Sequence, residues 1–304
     1  MVLAALTILA VAVIAYGGMR ALRPEEYGGT PLVSGARHDV ERAVVHFDFG
    51  RACMFQGCPR VAALWARGWG ADLSLLIGGL AFGVVGGTAA GVWCARRARS
   101  AGARALEAGA MLAFCAPVYV VGAGAMLLFS PGFGVWHLPF FFQPHTYQPP
   151  LNSPWDWLRS LVLPWLIVGA PLAAMCLRLT VALTRDALSE NHIQTAVAKG
   201  LPYSRVVSRH AAPSAYASIA SLLSVTIPAL VTNMVLVEWV FSVPGFFRHT
   251  KRALGQAQPV TIDVPTLQGL ALWAAVLIVA LSALADIALV RIDPRLRQSG
   301  APPG

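Results

Sequence analysis

The chain alternates between long apolar runs and polar connecting segments, and this alternation sets the first expectation about its fold. A bilayer core about 30 Å thick is crossed by roughly 20 apolar residues of helix. Six runs approach or reach that length, and each predicts one transmembrane helix. The predicted spans are residues 2–16, 73–95, 106–129, 161–183, 219–241 and 267–290. The pattern therefore predicts an all-α polytopic membrane protein with six transmembrane helices.

The first run differs from the others because it is short and opens at Met1. It has no basic residues before its apolar part, so it is not typical of a signal peptide. We interpret it as a retained first helix with a shortened cytoplasmic end. Residues 1–304 are predicted to form a single transmembrane domain.

Basic side chains are distributed unevenly between the loops, and this predicts the orientation of the chain. Cytoplasmic loops of membrane proteins carry an excess of Lys and Arg. Arg96, Arg97, Arg99 and Arg104 follow the second run, whereas the third run is followed by the single Arg159. The loop after the second run is therefore predicted to be cytoplasmic, together with residues 184–218 and both termini. The segments predicted to lie outside are residues 17–72, 130–160 and 242–266.

Composition agrees with a membrane protein. Of the 304 residues, 57% are hydrophobic and 12% are charged, whereas about a quarter of the residues of a soluble domain are charged. The formal net charge of +9 reflects basic loops, so it does not indicate nucleic-acid binding.

Signs of enzyme or proton-coupled chemistry are weak. The sequence has no GxxxxGKS/T, HExxH or GxSxG pattern, so ATP hydrolysis is expected on another chain. Glu238 and Asp286 lie near span ends, and the central thirds of the spans carry no acid. Proton relays place acids deep in the membrane, so the pattern argues against a proton-coupled carrier.

The five cysteines divide by their surroundings. Cys94, Cys115 and Cys176 lie in apolar runs and are interpreted as small hydrophobic residues. Cys53 and Cys58 lie in the loop predicted outside, where an oxidising compartment would favour a disulfide. The bonded and the free pair are both compatible with the sequence. No second pair of Cys or His at ligand spacing accompanies them, so no metal site is predicted.

Glycines recur along one face of the second run, at a strict spacing of four residues. Because glycine has no side chain, such a face allows another helix to approach closely. We interpret this stripe as a packing surface. Its members are Gly79, Gly83, Gly87 and Gly91.

The fifth run carries a polar stripe at helical spacing. Polar groups in a span require protein or water as partners, so this face is expected to look away from lipid. A translocation pathway and ordinary hydrogen bonding between helices both fit the pattern. The stripe contains Ser221, Ser224, Pro228 and Thr232, with Thr226 and Asn233 beside it.

A polar segment, NHIQTAVAKGLPYSRVVSRH, occupies residues 191–210 between the fourth and fifth runs. Ser189 and Glu190 supply an N-cap and a first-turn acid, and Gly200 supplies a stop, which together predict a helix of about ten residues. Such a helix is about 15 Å long, too short to cross the bilayer. Pro202 then begins a second helix that leads into the fifth span. A simple connection between two spans needs only a few residues, so we interpret this longer loop as a docking surface.

AVAKGL followed by SRVVSRH resembles the cytoplasmic signature of permease subunits of ATP-binding-cassette importers, specifically the dipeptide/oligopeptide/nickel permease family. Each similar motif is weak alone, but their order and membrane depth make the resemblance specific, and it covers nearly the whole chain. The other motifs are HFDFGRA at 46–52, CAPVYVVGAGAMLLF at 115–129, VEWVFSVPGF at 237–246, DVPTLQGL at 263–270 and IDPRLR at 292–297.

The resemblance implies a type I importer permease fold with a cytoplasmic coupling helix at residues 190–199. This helix would rest in a groove on an ATPase subunit, so that closure of two such subunits moves it and rocks the spans. Gly200 would allow a sharp exit, since glycine adopts a left-handed backbone without strain. The implied coupling residues are Glu190, Asn191, His192, Ile193, Ala196, Val197, Lys199, Gly200 and Leu201. Asn191, His192 and Gln194 depart from the family wording and are expected to make partner-specific contacts.

The resemblance also implies partners and a location. The expected partners are a homologous second permease, two ATPase subunits or one fused pair, and an extracytoplasmic substrate-binding protein, at the bacterial inner membrane. No cofactor is expected on this chain, whereas ATP and Mg²⁺ are expected on the ATPase subunits. Di- and oligopeptides are the expected cargo. The alternatives are nickel or another small solute, for which Met234 is the lone candidate in the fifth span, and a non-transporting membrane scaffold.

Overall fold

The structure is a computed structural model. It describes residues 2–22, 32–46, 48–53, 57–129, 147–191, 193, 195, 199–255 and 262–292. Within these ranges the regular elements are helical, and an isolated β-bridge joins Arg51 to Arg60. The chain is therefore all-α, as the apolar runs predict.

Eleven α-helices are labelled here in chain order within the described ranges. They are α1 (Val2–Leu22), α2 (Leu32–Val45), α3 (Val61–Ala81), α4 (Gly87–Arg96), α5 (Ala101–Cys115), α6 (Val118–Phe129), α7 (Pro154–Ala187), α8 (Tyr203–Val206), α9 (Tyr216–Phe241), α10 (Thr250–Ala253) and α11 (Val264–Ile292). A π-helical segment, Phe82–Gly86, joins α3 to α4, and a second one, Val207–Ala211, follows α8. Short 3₁₀ segments at Ala212–Ala215 and Phe247–His249 precede α9 and α10.

Four continuous helical runs in the described residues are long and apolar enough to cross a membrane. They are Val61–Arg96, Pro154–Ala187, Tyr203–Phe241 and Val264–Arg291, and they contain the predicted spans 73–95, 161–183, 219–241 and 267–290. The first predicted span, 2–16, lies in α1, which holds the shorter apolar helix Leu6–Gly18.

The third predicted span, 106–129, is not one straight helix. Helices α5 and α6 meet at an angle of 112°. Ala116, between them, has φ −77° and ψ 132°, an extended conformation. Pro117 explains the break, because proline disfavours the helical conformation in the residue before it and has no N–H to donate. The predicted third span is therefore broken into two helices, and its crossing of the membrane stays a prediction.

The chain divides into two compact units, the first comprising Met1–Leu73 and Ser242–Leu281. In this unit α1 packs against α2, and a partly buried ion pair joins them: Arg20 Nη1 lies 2.7 Å from Asp39 Oδ2. Tyr16, Val40 and Leu272 belong to the buried apolar cluster of this unit.

The second unit comprises Ser74–Phe241 and Ser282–Gly304, and helix α7 is its centre. In the most apolar window of α7, 61% of the residues are buried, against 33% or less in the other three candidate spans. Its 34 residues correspond to about 51 Å, longer than the roughly 30 Å bilayer core. The Ser153 hydroxyl caps its first turn by accepting a hydrogen bond from the Asp156 N–H.

The glycine stripe of the second span faces α7. A Cβ placed on Gly79 or Gly83 would come within 2.8 Å of Val168 or Leu172, respectively. A Cβ on Gly87 would meet the backbone of Ala173, and one on Gly91 would lie 2.8 Å from the Leu177 carbonyl oxygen. The predicted close packing is confirmed, with α7 as the partner helix.

Candidate functional site

The coupling segment, defined as residues 190–201, follows α7 on the polar loop between the fourth and fifth spans. Asn191, Ile193 and Thr195 are helical. The Ile193 N–H donates to the Glu190 carbonyl at 3.0 Å, and the Lys199 N–H donates to the Thr195 carbonyl at 3.0 Å. These two bonds span the segment for which the sequence predicts a short helix. Of the predicted coupling residues, His192, Ala196 and Val197 lie outside the described residues, as does Gln194.

One side chain of the segment is buried, and the others described are accessible. Ile193 is 1% exposed and is among the largest fully buried side chains of the described chain. Glu190, Asn191 and Lys199 are exposed, and Leu201 is half-buried. An apolar anchor therefore holds the segment against the protein, while charged and polar side chains are exposed at its surface.

The segment ends with a left-handed turn. Gly200 has φ +79°, and a Cβ added there would meet no heavy atom within 4 Å. The conformation is the one that favours glycine at the end of a helix. At the upstream end, the Ser189 hydroxyl donates to the Asp186 carbonyl at the end of α7, and the N-cap role of Ser189 stays a prediction.

The chain from α8 to α9 changes helix type twice within thirteen residues, Tyr203–Ala215. The π segment and the 3₁₀ segment both pack against α7. The Ser214 hydroxyl lies 2.7 Å from the Ala211 carbonyl oxygen and 3.4 Å from that of Leu183 in α7. Five small or β-branched residues of this stretch are fully buried: Val206, Val207, Ala211, Ala212 and Ala215. Changes of helix type in mid-course are common at hinges.

The polar stripe of α9 lies on the surface of the single chain. Ser221, Pro228 and Thr232 are exposed, and their neighbour Val225 is 77% exposed. The Thr232 hydroxyl donates to the Pro228 carbonyl at 3.0 Å, within the helix. A face of this kind inside a candidate span needs water or another protein chain to satisfy it.

Part of the stripe contacts α11. The Ser224 hydroxyl donates to Asp286 Oδ1 at 2.8 Å, so Asp286 joins the polar face near the end predicted to be cytoplasmic. Thr226 donates within α9 to the Leu222 carbonyl at 3.0 Å, and Asn233 is half-buried. A hydrogen bond between helices therefore explains the polar side chain of Ser224. Ser221 and Thr232 differ from it because both are exposed.

In the first unit, a buried carboxylate that sequence reasoning missed holds the turn after the fifth span. Asp72 is fully buried. Its Oδ1 accepts a hydrogen bond from the Phe246 N–H at 2.7 Å, and its Oδ2 accepts one from the Trp273 indole N–H at 2.7 Å. Gly68 lies one helical turn earlier, and a Cβ there would meet the Phe246 backbone. The available signal was an acid one residue before an apolar span.

A small hairpin precedes α3. Cys53 and Cys58 are joined as a disulfide, with Cα atoms 4.1 Å apart. The Ala52 N–H donates to the Pro59 carbonyl at 2.8 Å, which closes the same hairpin. Cys94 and Cys176 are buried free thiols, whereas Cys115 is exposed. No group of three His, Cys, Asp or Glu suitable for a metal occurs among the described residues.

Comparison with known proteins agrees with this geometry. Residues 87–298 match the family model described as binding-protein-dependent transport system inner membrane component. A putative peptide transport system permease protein of Brucella abortus is 29% identical over 252 residues, covering 83% of this chain and 76% of the relative. The oligopeptide transport system permease protein OppB of Mycobacterium tuberculosis is 28% identical over 275 residues, covering 88% and 82%.

A shorter match concerns the dipeptide transport system permease protein DppB of Haemophilus influenzae. It is 33% identical over 140 residues, covering 46% of this chain and 40% of the relative. The family model covers well over half of this chain, including Gly87 and Gly91 of the glycine stripe, the coupling segment and α9. The chain therefore belongs to the family of inner membrane components of binding-protein-dependent transport systems, as a multi-pass permease of the ATP-binding-cassette class.

Proposed function

We propose that this permease forms half of the translocation pathway of an ATP-driven importer of di- and oligopeptides, paired with a homologous second permease. The observation that carries the proposal is the coupling segment, which is anchored by Ile193, exposes charged groups and ends at the left-handed Gly200. Relatives that align with more than four fifths of this chain are peptide and oligopeptide transport permeases by name, which supports peptides as the cargo.

In this proposal the coupling segment docks on a cytoplasmic ATPase subunit. Glu190, Asn191 and Lys199 contact the ATPase through their exposed side chains, and His192, Ala196 and Val197 complete the contact surface. Ile193 keeps the segment attached to the permease. Gly200 and Leu201 return the chain from the docking surface to α8.

Motion is transmitted through the stretch that follows. Val206, Ala211 and Ala215 are fully buried, and their stretch packs on α7. Because close-packed interfaces transmit displacement rather than absorb it, movement of the coupling segment shifts α7 and the start of α9 together. The π and 3₁₀ segments, with their altered hydrogen bonding, are where the bend is accommodated.

The polar stripe of α9 lines the pathway at the interface with the second permease. Ser221 and Thr232 face the cargo, with Ser224 and Asn233 at the two sides of this face, and a peptide's own amide groups supply the hydrogen-bond partners that an exposed polar face in a span requires. Pro228 has no N–H, so the Ser224 carbonyl lacks its usual helical donor and the helix can bend there.

The remaining assignments follow from the loop charges. Both termini and the coupling segment are cytoplasmic, whereas the Cys53–Cys58 hairpin is extracytoplasmic. ATP and Mg²⁺ are bound and used by the two ATPase subunits, or one fused pair, and this chain binds no cofactor.

The chain offers a direct test because it has two lysines, Lys199 in the coupling segment and Lys251 in the short helix α10, and both are exposed. The assembled transporter would be treated with an amine-reactive cross-linker, and the linked peptides would be identified by mass spectrometry. Links from Lys199 to an ATPase subunit are expected, and Lys199→Arg removes them while it keeps the charge. Lys251→Arg is the matched control and leaves them intact.

Two results would contradict the coupling role. One is a transporter in which Lys199 links to the substrate-binding protein, and the other is one in which Lys251 links to the ATPase. The cargo is tested separately, by uptake of a labelled dipeptide and oligopeptide into vesicles that contain the full complex. Unlabelled peptide is expected to compete with the labelled peptide, and Ni²⁺ is not. Competition by Ni²⁺ and not by unlabelled peptide would reject peptides as cargo.

A further inference from the structure

A groove of about 800 Å³ opens on the second unit between α4 and the beginning of α9. Its walls are mainly apolar and include Val85, Ile219, Ala220 and Leu223. Val85 is 67% exposed although it lies within a candidate span. The volume falls in the range of small-molecule sites, about 300–1,000 Å³.

One end of the groove differs chemically from the rest. It is lined by Arg96, Trp93, Ser208 and Tyr216. Trp and Tyr are enriched where a membrane meets water, which identifies this end as the interfacial one. The guanidinium carbon of Arg97 lies 5.4 Å from the centre of a Trp93 ring, so a second cation is held at the same end. Within the described residues, no carboxylate forms an ion pair with Arg96.

The length of the groove matches one leaflet. Val84 and Arg96 both line it and are twelve residues apart, which corresponds to about 18 Å of helix. Half of the hydrocarbon core is about 15 Å. In the proposed orientation the basic end lies at the cytoplasmic surface, where membranes carry anionic lipids.

The groove is separate from the polar stripe. Ile219, Ala220 and Leu223 lie on one side of α9, whereas Ser221 and Thr232 lie on the other, because successive residues of a helix are about 100° apart. A hydrocarbon chain in the groove would therefore not occupy the proposed pathway.

We propose that this groove binds one anionic phospholipid of the cytoplasmic leaflet. The phosphate contacts the Arg96 guanidinium, and one acyl chain lies along Val85, Ile219 and Leu223. Charge complementarity at the interfacial end and apolar walls over one leaflet's depth carry the assignment. The bound lipid would fill the space between the second and fifth spans at their cytoplasmic ends, beside the hinge at Val207–Ala215.

The test uses the assembled transporter in mild detergent, with phosphatidylglycerol or phosphatidylcholine added and bound lipid counted by native mass spectrometry. The wild type should retain one phosphatidylglycerol in preference to phosphatidylcholine. Arg96→Gln should weaken that retention about fivefold to tenfold, since one basic residue near a lipid surface contributes about that factor. Arg99→Gln removes the same charge from an exposed side chain of the same loop and should leave retention near the wild-type level. Ala89→Trp, which fills the groove, should abolish it.

Three outcomes would overturn the proposal. Equal losses for Arg96→Gln and Arg99→Gln would mean that the loop attracts lipid without a site. Equal retention of the two lipids by the wild type would remove the anionic preference. A photoreactive side chain at Val85 that cross-links to the second permease rather than to lipid would mean that a protein helix covers the groove. None of these results depends on cargo or on ATPase coupling, so they are distinguishable from failure of the proposed function.

Discussion

Replacement of Gly200 by valine isolates a single physical cost in the coupling segment. The residue has φ +79°, and an added Cβ would meet no heavy atom within 4 Å. The substitution therefore creates no clash with neighbours, and its cost is that of a left-handed backbone for an L residue, about 1–2 kcal/mol. A cost of that size makes the native turn about 5 to 30 times less populated relative to alternatives. If coupling requires the turn, the stimulation of ATPase activity should decrease by a factor within this range.

The assay is the ATPase rate of the assembled transporter, stimulated by its loaded binding protein. Gly57 is the matched control, because it has φ +75° and also nothing within 4 Å of an added Cβ, but lies in the Cys53–Cys58 hairpin. Gly57→Val should leave stimulation near the wild-type level, and so should Gly200→Asn, since asparagine tolerates the left-handed conformation. Undiminished stimulation in Gly200→Val, or an equal loss in Gly57→Val, refutes the reasoning.

The remaining predictions concern packing and stability. Gly87→Ala forces a Cβ against α7 and should lower the free energy of unfolding by about 1–3 kcal/mol. In Gly109→Ala the new Cβ meets nothing within 4 Å, so the free energy of unfolding should rise by up to about 1 kcal/mol. Unfolding by SDS in mixed micelles should therefore show Gly87→Ala to be less stable than the wild type and Gly109→Ala to be at least as stable. Asp72→Ala leaves the buried Phe246 N–H and the half-buried Trp273 indole N–H without their acceptor and should cost about 3 kcal/mol in the same assay. A neutral result would show that the turn after the fifth span is held by other contacts. Burial and the nearby Arg248 and Arg252 lower the pKa of His249 from its ordinary 6.5 to about 4. The unfolded chain therefore binds the proton more readily, so thermal stability should be level above pH 6.5 and fall between pH 6.5 and 4, and His249→Gln should flatten that fall.

The sequence predicted the features that depend on local periodicity. Apolar runs located four candidate spans, and the four-residue glycine spacing predicted a close helix contact whose partner the structure identifies as α7. The end of the helix at Gly200 was also predictable, because few residue types other than glycine adopt a positive φ without strain. These signals are local, so they survive without knowledge of the tertiary structure.

Features that depend on tertiary contacts, or on one residue within an apolar run, were missed. Hydropathy over residues 106–129 is continuous, so a span count based on it passes over the break at Pro117. Asp72 appeared to be one acid among several in an outer loop, because its partners, Phe246 and Trp273, are 174 and 201 residues away. The apolar groove could not be foreseen either, since its walls come from segments more than a hundred residues apart.

The π-helical segment Phe82–Gly86 affects the direction in which the glycines of the stripe point. An α-helix advances about 100° per residue, so a four-residue repeat overshoots each turn by about 40° and would wind around the helix. A π turn holds more residues than an α turn, and here it lies between Gly79 and Gly91, where it counteracts that overshoot. The wider turn thus keeps all four glycines aimed at α7. In an unbroken α-helix, the twelve residues from Gly79 to Gly91 would instead place Gly91 about 120° around the helix axis from Gly79.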